Sequence, residues 1–218
     1  MLVGGWGGTS PALLAYTPDP SYPPYTGVVG SKLLFITALL LATAVPSAAE
    51  PVRVFDLSGR RVDPLLIPPG RVASVLVFTT TDCPISNRYA PDIRALAAKF
   101  ASRGIAFTLV YPVATDTPTV IGEHMKKFGY AIPAVRDTAQ ELVKHTGVKV
   151  TPEVAVIGAG GQVLYRGRID DRYIDFGKDR PQPTERTLER ALEAVVQGKP
   201  IAVRETAAVG CYLADLVK

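Results

Sequence analysis

Apolar and polar positions alternate over Val52-Arg53-Val54-Phe55-Asp56-Leu57, and Ser58-Gly59-Arg60-Arg61 supplies a turn before a second short extended piece. The pattern predicts a β-hairpin there. Between Arg71 and Thr80, Val72-Ala73-Ser74-Val75-Leu76-Val77-Phe78 is a nearly unbroken apolar run, the pattern of a central strand covered on both faces. From Ile85 the period lengthens: Ile93, Leu96, Ala97 and Phe100 fall at i, i+3, i+4, i+7, a helical stripe that Gly104 ends. Residues 105–111 read as the next strand. Thr117-Pro118 has N-cap and first-turn chemistry for a helix through residue 128, with Val120, Ile121, His124, Met125 and Phe128 on one stripe.

A short strand over residues 132–135 leads to Asp137, the predicted cap of a helix over 138–145. Residues 148–157, the turn Gly158-Ala159-Gly160-Gly161, and residues 162–165 read as an antiparallel hairpin. A polar loop over 166–183 follows. Thr184 is the predicted cap of a last helix carrying Leu188, Leu192, Val195 and Val196 and closed by Gly198. The tail, 199–218, has no clear period. Strands alternating with helices and a closing hairpin make an α/β chain, with a mixed central sheet flanked by helices. The parallel part is expected at the centre and the hairpin at the antiparallel edge.

The first 49 residues read differently. Residues 1–30 contain no Lys or Arg and one acid, Asp19, and are rich in Gly, Pro and Tyr. Ser31-Lys32, the apolar run from Leu33 to Val45 and Pro46-Ser47-Ala48-Ala49 then make a secretory signal cut after Ala49. The run is shorter than the ~20 apolar residues of a permanent anchor. Residues 1–30 are read as a start placed too far upstream, with initiation near Val28 or Val29; the alternative is a long signal with an unusual front end. This divides the chain into 1–49 as extension and signal, 50–198 as the folded domain, and 199–218 as a tail. The expected location is periplasmic or secreted.

Of the 218 residues 47% are apolar, which excludes a disordered chain, and two cysteines exclude a disulfide-dense miniprotein. The net charge of +4 comes from scattered basic residues, so no stripe for nucleic acid forms. Two cysteines and two histidines do not make a zinc finger of the usual spacing. Gly158-Ala159-Gly160-Gly161 lacks the Lys-Ser/Thr partner of a phosphate loop and joins two strands. No cofactor or metal is expected.

The chemistry points to Cys83. At the end of a buried strand and the start of a helix, backbone amides and the helix dipole favour its thiolate, and Pro84 fixes the first turn. The alternatives are a small buried apolar residue, or half of a structural disulfide with Cys211, which export would let persist. As a thiolate, Cys83 can attack a peroxide or a partner disulfide, and Cys211 is the second thiol that can resolve the product.

Val75–Phe78, Thr81-Asp82-Cys83-Pro84-Ile85-Ser86, Pro91 eight residues after Cys83, and Val150-Thr151-Pro152-Glu153-Val154 together resemble the thioredoxin-fold superfamily over about residues 52–198. The resemblance implies a thioredoxin-like α/β fold with the N-terminal hairpin as an extension. It also implies a cis Thr151–Pro152 bond beside the cysteine, with Thr151 and Pro152 shaping the substrate groove. Ser86 replaces the second cysteine of C-x-x-C, so a local dithiol cannot form. Thr80 stands three residues before Cys83, as in the peroxiredoxin branch, while Leu76 holds that motif's proline position. With Arg166–Tyr173 and Thr206–Cys211, the segment resembles exported bacterial redoxin-domain proteins of the alkyl hydroperoxide reductase and thiol-specific antioxidant group.

The expected function is therefore thiol-dependent oxidoreduction. Cys83 is the nucleophile and Cys211 the resolving thiol; the substrate is a small peroxide or a protein disulfide, and a thiol of unknown identity donates electrons. Thr80 is a candidate donor to the thiolate or substrate oxygen, against an ordinary strand-end threonine. Ser86 can stabilise the thiolate or bond the first helical turn. Arg88 and Arg168 can lower the Cys83 pKa or pair with acids of the 170–175 loop. The alternative function is a binding module, holding copper or a partner without turnover; there His124 reads better as a satisfied core residue than as a ligand. N-terminal sequencing of the exported protein should give Glu50 as the first residue, and peptides from residues 1–30 would contradict the misplaced start.

Overall fold

The structure, a computed structural model, describes Val52 and residues 54–213. The signal and extension read from residues 1–49 lie outside the described residues. Among the described residues no helix is long and apolar enough to cross a membrane.

Strand β3 (Ala73–Phe78) is buried along its whole length, and its alternation divides the core in two. Val75 and Val77 face a cluster that includes Ile93, Phe100, Ile121, Leu188 and Leu192. Leu76 and Phe78 face a second cluster with Leu142, Val148 and Leu213. Layers on both faces explain why the run reads as unbroken rather than alternating. β3 pairs in parallel with β4 (Ile105–Tyr111), and β4 in parallel with β5 (Ala134–Arg136). On its other side β3 meets β7 (Glu153–Ile157) antiparallel, and β7 meets β8 (Val163–Gly167). The N-terminal hairpin of β1 (Val54–Asp56) and β2 (Arg61–Val62) closes the far edge, giving the order β2-β1-β5-β4-β3-β7-β8. This is the mixed sheet that the pattern implied, with its parallel strands central, and the thioredoxin-like fold that the resemblance implied.

Several elements differ from the expectation. The helix after Cys83 is two: α1 (Pro84–Arg88) and α2 (Ala90–Ala101). Pro91 has no amide to offer the carbonyl four residues back, so the helix breaks at Tyr89. Helix α3 (Pro118–Phe128) has Thr117 as its cap, as read, with the Thr117 hydroxyl accepting from the Val120 amide at 3.3 Å. Helix α4 begins later than expected, at Glu141–Thr146, because Gln140 is left-handed with φ of 55°. Asp137 still performs the capping: fully buried, its carboxylate accepts from the amides of Glu141 (2.8 Å) and Val143 (3.0 Å), across a turn. Burial pushes its pKa up to about 6.

The expected strand 148–157 is broken by the cis Thr151–Pro152 bond into β6 (Val150–Thr151) and β7. The loop 166–183 contains a hairpin, β9 (Tyr173–Asp175) with β10 (Lys178–Asp179). Thr184 does not cap the last helix, α5 (Thr187–Val196). Its hydroxyl and amide are held by the buried Asp171 carboxylate at 2.5 and 2.7 Å, which ties off the loop before the helix starts.

The tail without a period is tied to the sheet at two points. Arg166 and Thr206 exchange backbone bonds with the tail and β8, Arg166 N to Arg204 O at 2.9 Å and Thr206 N to Arg166 O at 3.1 Å. Farther on, β11 (Cys211–Tyr212) pairs antiparallel with β6, Cys211 opposite Thr151 and Tyr212 opposite Val150. The Leu213 amide bonds the Lys149 carbonyl at 2.9 Å and its side chain enters the second core cluster. Gly210 makes the pairing possible: a Cβ there would overlap the Thr151 carbonyl and its carbon. Gly210→Ala should cost about 2 kcal/mol of tail docking, as overpacking does, or ~30-fold in the detached population. Cys211 alkylation should quicken correspondingly while the far-ultraviolet circular dichroism stays unchanged; an unchanged alkylation rate would show that close approach at Gly210 does not hold the tail.

Candidate active site

Cys83 follows β3 by five residues and is the N-cap of α1, so strand and helix fix its backbone from both sides. The residue is 2% exposed. The thiol donates to the Thr151 carbonyl at 3.1 Å, and the Cys211 thiol donates to the Cys83 sulfur at 3.1 Å. Two thiols 128 residues apart thus sit about 1 Å beyond the ~2.05 Å of a disulfide bond. Both are free.

Their environments separate them. Burial alone would raise Cys83, but the Ser86 hydroxyl and amide, with smaller help from Cys211 and Thr151, outweigh it and hold the thiol below its ordinary value. Cys211 is pushed up to about 12, first by burial, then by donating its proton to Cys83 and by the charges of Cys83 and Asp82. One sulfur is set up as thiolate and the other as its protonated neighbour. In a C-x-x-C turn a neighbour three residues away supplies the second thiol; here Ser86 takes that place and the tail brings the thiol.

Ser86 is buried, and apart from the Cys83 sulfur its hydroxyl has no hydrogen-bond partner. Thr80 is also buried without a partner for its hydroxyl, and no hydrogen bond joins it to Cys83. Thr151 meets Cys83 through its carbonyl while its own hydroxyl is unpaired, and Pro152 follows in the cis bond. Arg168 is not brought to the sulfurs. Its guanidinium bonds Glu185 (2.7 Å) and Thr187 (3.2 Å), which anchors the start of α5 instead. Arg88 pairs with Asp179 at 3.2 Å and lies over the Tyr173 ring, at the rim of a cavity of about 250 Å³ lined also by Pro84, Ile85, Phe176 and Cys211.

Three features escaped sequence reasoning. The pairing of β11 with β6 had one signal, the glycine directly before a tail cysteine. The β9–β10 hairpin had only exposed Ile174 and Phe176 in an otherwise polar stretch. A buried polar frame had none. His124 Nε2 bonds Asn87 Oδ1 at 2.7 Å, and the Tyr111 hydroxyl bonds His124 Nδ1 at 2.9 Å. Because Asn87 Oδ1 can only accept, the proton sits on Nε2 and Tyr111 donates to Nδ1. Burial, then the nearby Lys127, lowers the His124 pKa and keeps it neutral. Asn87 Nδ2 donates to the Thr81 carbonyl at 3.2 Å, and Thr81 Oγ1 donates to the buried Asp116 carboxylate at 2.5 Å. The frame clamps the loop into Cys83 to α1 and α3. His124 is thus satisfied in the core, and His145 bonds the Gly161 carbonyl at 2.9 Å. Among the described residues no three His, Cys, Asp or Glu side chains converge as a metal site.

Absorbance at 240 nm should therefore titrate one thiolate per molecule below the ordinary value of 9.0, with the second absent until about 12. Ser86→Ala should move the first step up by about one pH unit. Two overlapping steps near 9 in the native protein would contradict the split.

A Redoxin family model matches residues 53–176. Among solved structures, an uncharacterized conserved protein from Geobacillus kaustophilus is 21% identical with a TM-score of 0.64, covering 76% of this chain and 88% of its own. A hypothetical protein from Sinorhizobium meliloti 1021 is 23% identical with a TM-score of 0.61, over 73% and 88% of the two chains. A secreted Mycobacterium tuberculosis disulfide oxidoreductase homologous to E. coli DsbE is 19% identical with a TM-score of 0.44, over 66% and 93%. No curated protein matches the sequence significantly. The family match spans more than half of the chain and contains Cys83 with the strand, helix and cis-proline turn around it: the chain belongs to the Redoxin family.

Proposed function

We propose that this protein is an exported thiol–disulfide oxidoreductase whose redox couple is Cys83 and Cys211. The observation that carries the reading is the contact of the two sulfurs at 3.1 Å, one thiol lowered and the other raised to about 12. A thiolate beside a protonated thiol is the reduced half of such a couple, and loss of two electrons and the one remaining proton joins the sulfurs without rearranging the fold. Cys83 supplies the reactive thiolate. Ser86 stabilises it, and Thr151 with cis Pro152 presents the edge on which the tail lies.

Exchange with disulfides is favoured over peroxide reduction by the placement of Cys211. Peroxide attack would give a sulfenic acid on Cys83, which Cys211 would condense with loss of water. A peroxide oxygen, however, must reach the sulfur of a buried residue, already contacted by Cys211, Thr151 and Ser86. A thiol donor returns the couple to the dithiol. Residues 1–49 direct export, and the oxidising compartment suits a cycling disulfide.

Insulin reduction by dithiothreitol, followed as turbidity, tests the reading. Native protein should accelerate it, and Cys83→Ser and Cys211→Ser should each lower the rate at least ~100-fold, as loss of either member of a concerted pair does. Full activity in either variant would overturn the couple. Peroxide consumption by native protein at a rate exceeding insulin reduction would favour the peroxidase alternative, and inactive native protein that binds Cu(I) through both cysteines would favour the binding module.

A further inference from the structure

The two sulfurs differ in what can reach them, and this decides how a partner enters the exchange. Cys83 is enclosed: the Thr151 carbonyl, the Ser86 hydroxyl and amide and the Cys211 sulfur occupy its surroundings, and it is 2% exposed. Cys211 is half-buried, and it is Cys211 rather than Cys83 that lines the cavity of about 250 Å³. Tyr173 and Phe176 of the β9–β10 hairpin, Pro84 and Ile85 of α1, and the paired Arg88 and Asp179 also line that cavity. Sulfur exchange runs through three sulfurs nearly in line, so an incoming sulfur needs free space in front of the atom it attacks. That space exists at Cys211.

We propose that partner thiols and disulfides couple to Cys211, while Cys83 performs the inner, intramolecular half of each exchange. The inference rests on the reading of the pair as a redox couple. In re-reduction, a donor thiolate attacks the Cys211 sulfur of the Cys83–Cys211 bond. A bond forms between donor sulfur and Cys211, the bond between the two cysteines breaks, and Cys83 leaves with the electron pair. A second thiol of the donor then attacks the donor-side sulfur and frees Cys211, which takes a proton. In the opposite direction, the Cys83 thiolate takes the proton that Cys211 donates to it. The Cys211 sulfur attacks a partner disulfide and expels one partner thiolate, which takes that proton from Cys83, and Cys83 then attacks the Cys211 sulfur of the mixed disulfide and expels the second partner thiolate. The lowered pKa of Cys83 makes it the better leaving group of the two, consistent with this order. The outer sulfur of the pair is therefore the one in the tail, and the family's strand-end cysteine is the inner one.

The experiment uses the native protein oxidised with diamide and then exposed to glutathione as the thiol probe. Samples are quenched in acid within seconds and mapped by peptide mass. Glutathione should be found on Cys211 in roughly tenfold or greater excess over Cys83, with Cys83 recovered as the free thiol. Glutathione mainly on Cys83, from protein in which the Cys83–Cys211 bond had formed, would overturn this inference and leave the couple standing. Failure of diamide to form that bond would overturn both.

Discussion

A two-residue strand pairing sets the geometry of the two cysteines. β11 lies against β6 at the cis-proline turn, and that contact alone brings Cys211 onto Cys83 from 128 residues away. It depends on a close approach of backbone to backbone that a side chain at residue 210 would prevent. Leu213 fixes the far end of the strand in the core, and the bridge between Arg166 and Glu205 fixes the near end. Between those anchors the tail holds Cys211 against Cys83.

Once together, the two thiols do not remain equivalent. The inner sulfur gains the hydroxyl and amide of Ser86, while the outer one gains only a negative neighbour and partial burial. The same physics separates the two cysteines of a C-x-x-C turn, but the parts have been redistributed. The third position after Cys83 gives up its sulfur and becomes a hydrogen-bond donor, and the second sulfur arrives on a separate strand. The frame running from Tyr111 through His124, Asn87 and Thr81 to Asp116 keeps the loop and α1 in the register this requires.

Much of the fold was legible because it follows from periodicity. The unbroken run of β3 implied two covering layers, and Thr151-Pro152 marked the cis turn through its resemblance to thioredoxin-fold proteins. What was not legible depends on contacts between distant segments. Asp137 caps α4 across a turn that the left-handed Gln140 creates, so local spacing misplaced the helix start. Thr184 has the right chemistry for a cap but a stronger acceptor, Asp171, nearby. Arg168 lies in a segment typical of the group, yet Glu185 claims its guanidinium. The tail carried no periodic signal because a two-residue strand has no period. The candidate pair of cysteines could be named from composition, whereas their contact and their unequal environments required the fold.

The proposed function requires that Cys83 and Cys211 form one reversible couple. The most direct measurement equilibrates the native protein across glutathione redox buffers, quenches by alkylation, and maps the crosslinked and alkylated peptides. It should give a single two-electron transition in which the Cys83–Cys211 peptide pair appears as both free thiols disappear together. Independent titration of the two cysteines, or mixed disulfides with no bond between them, would contradict it.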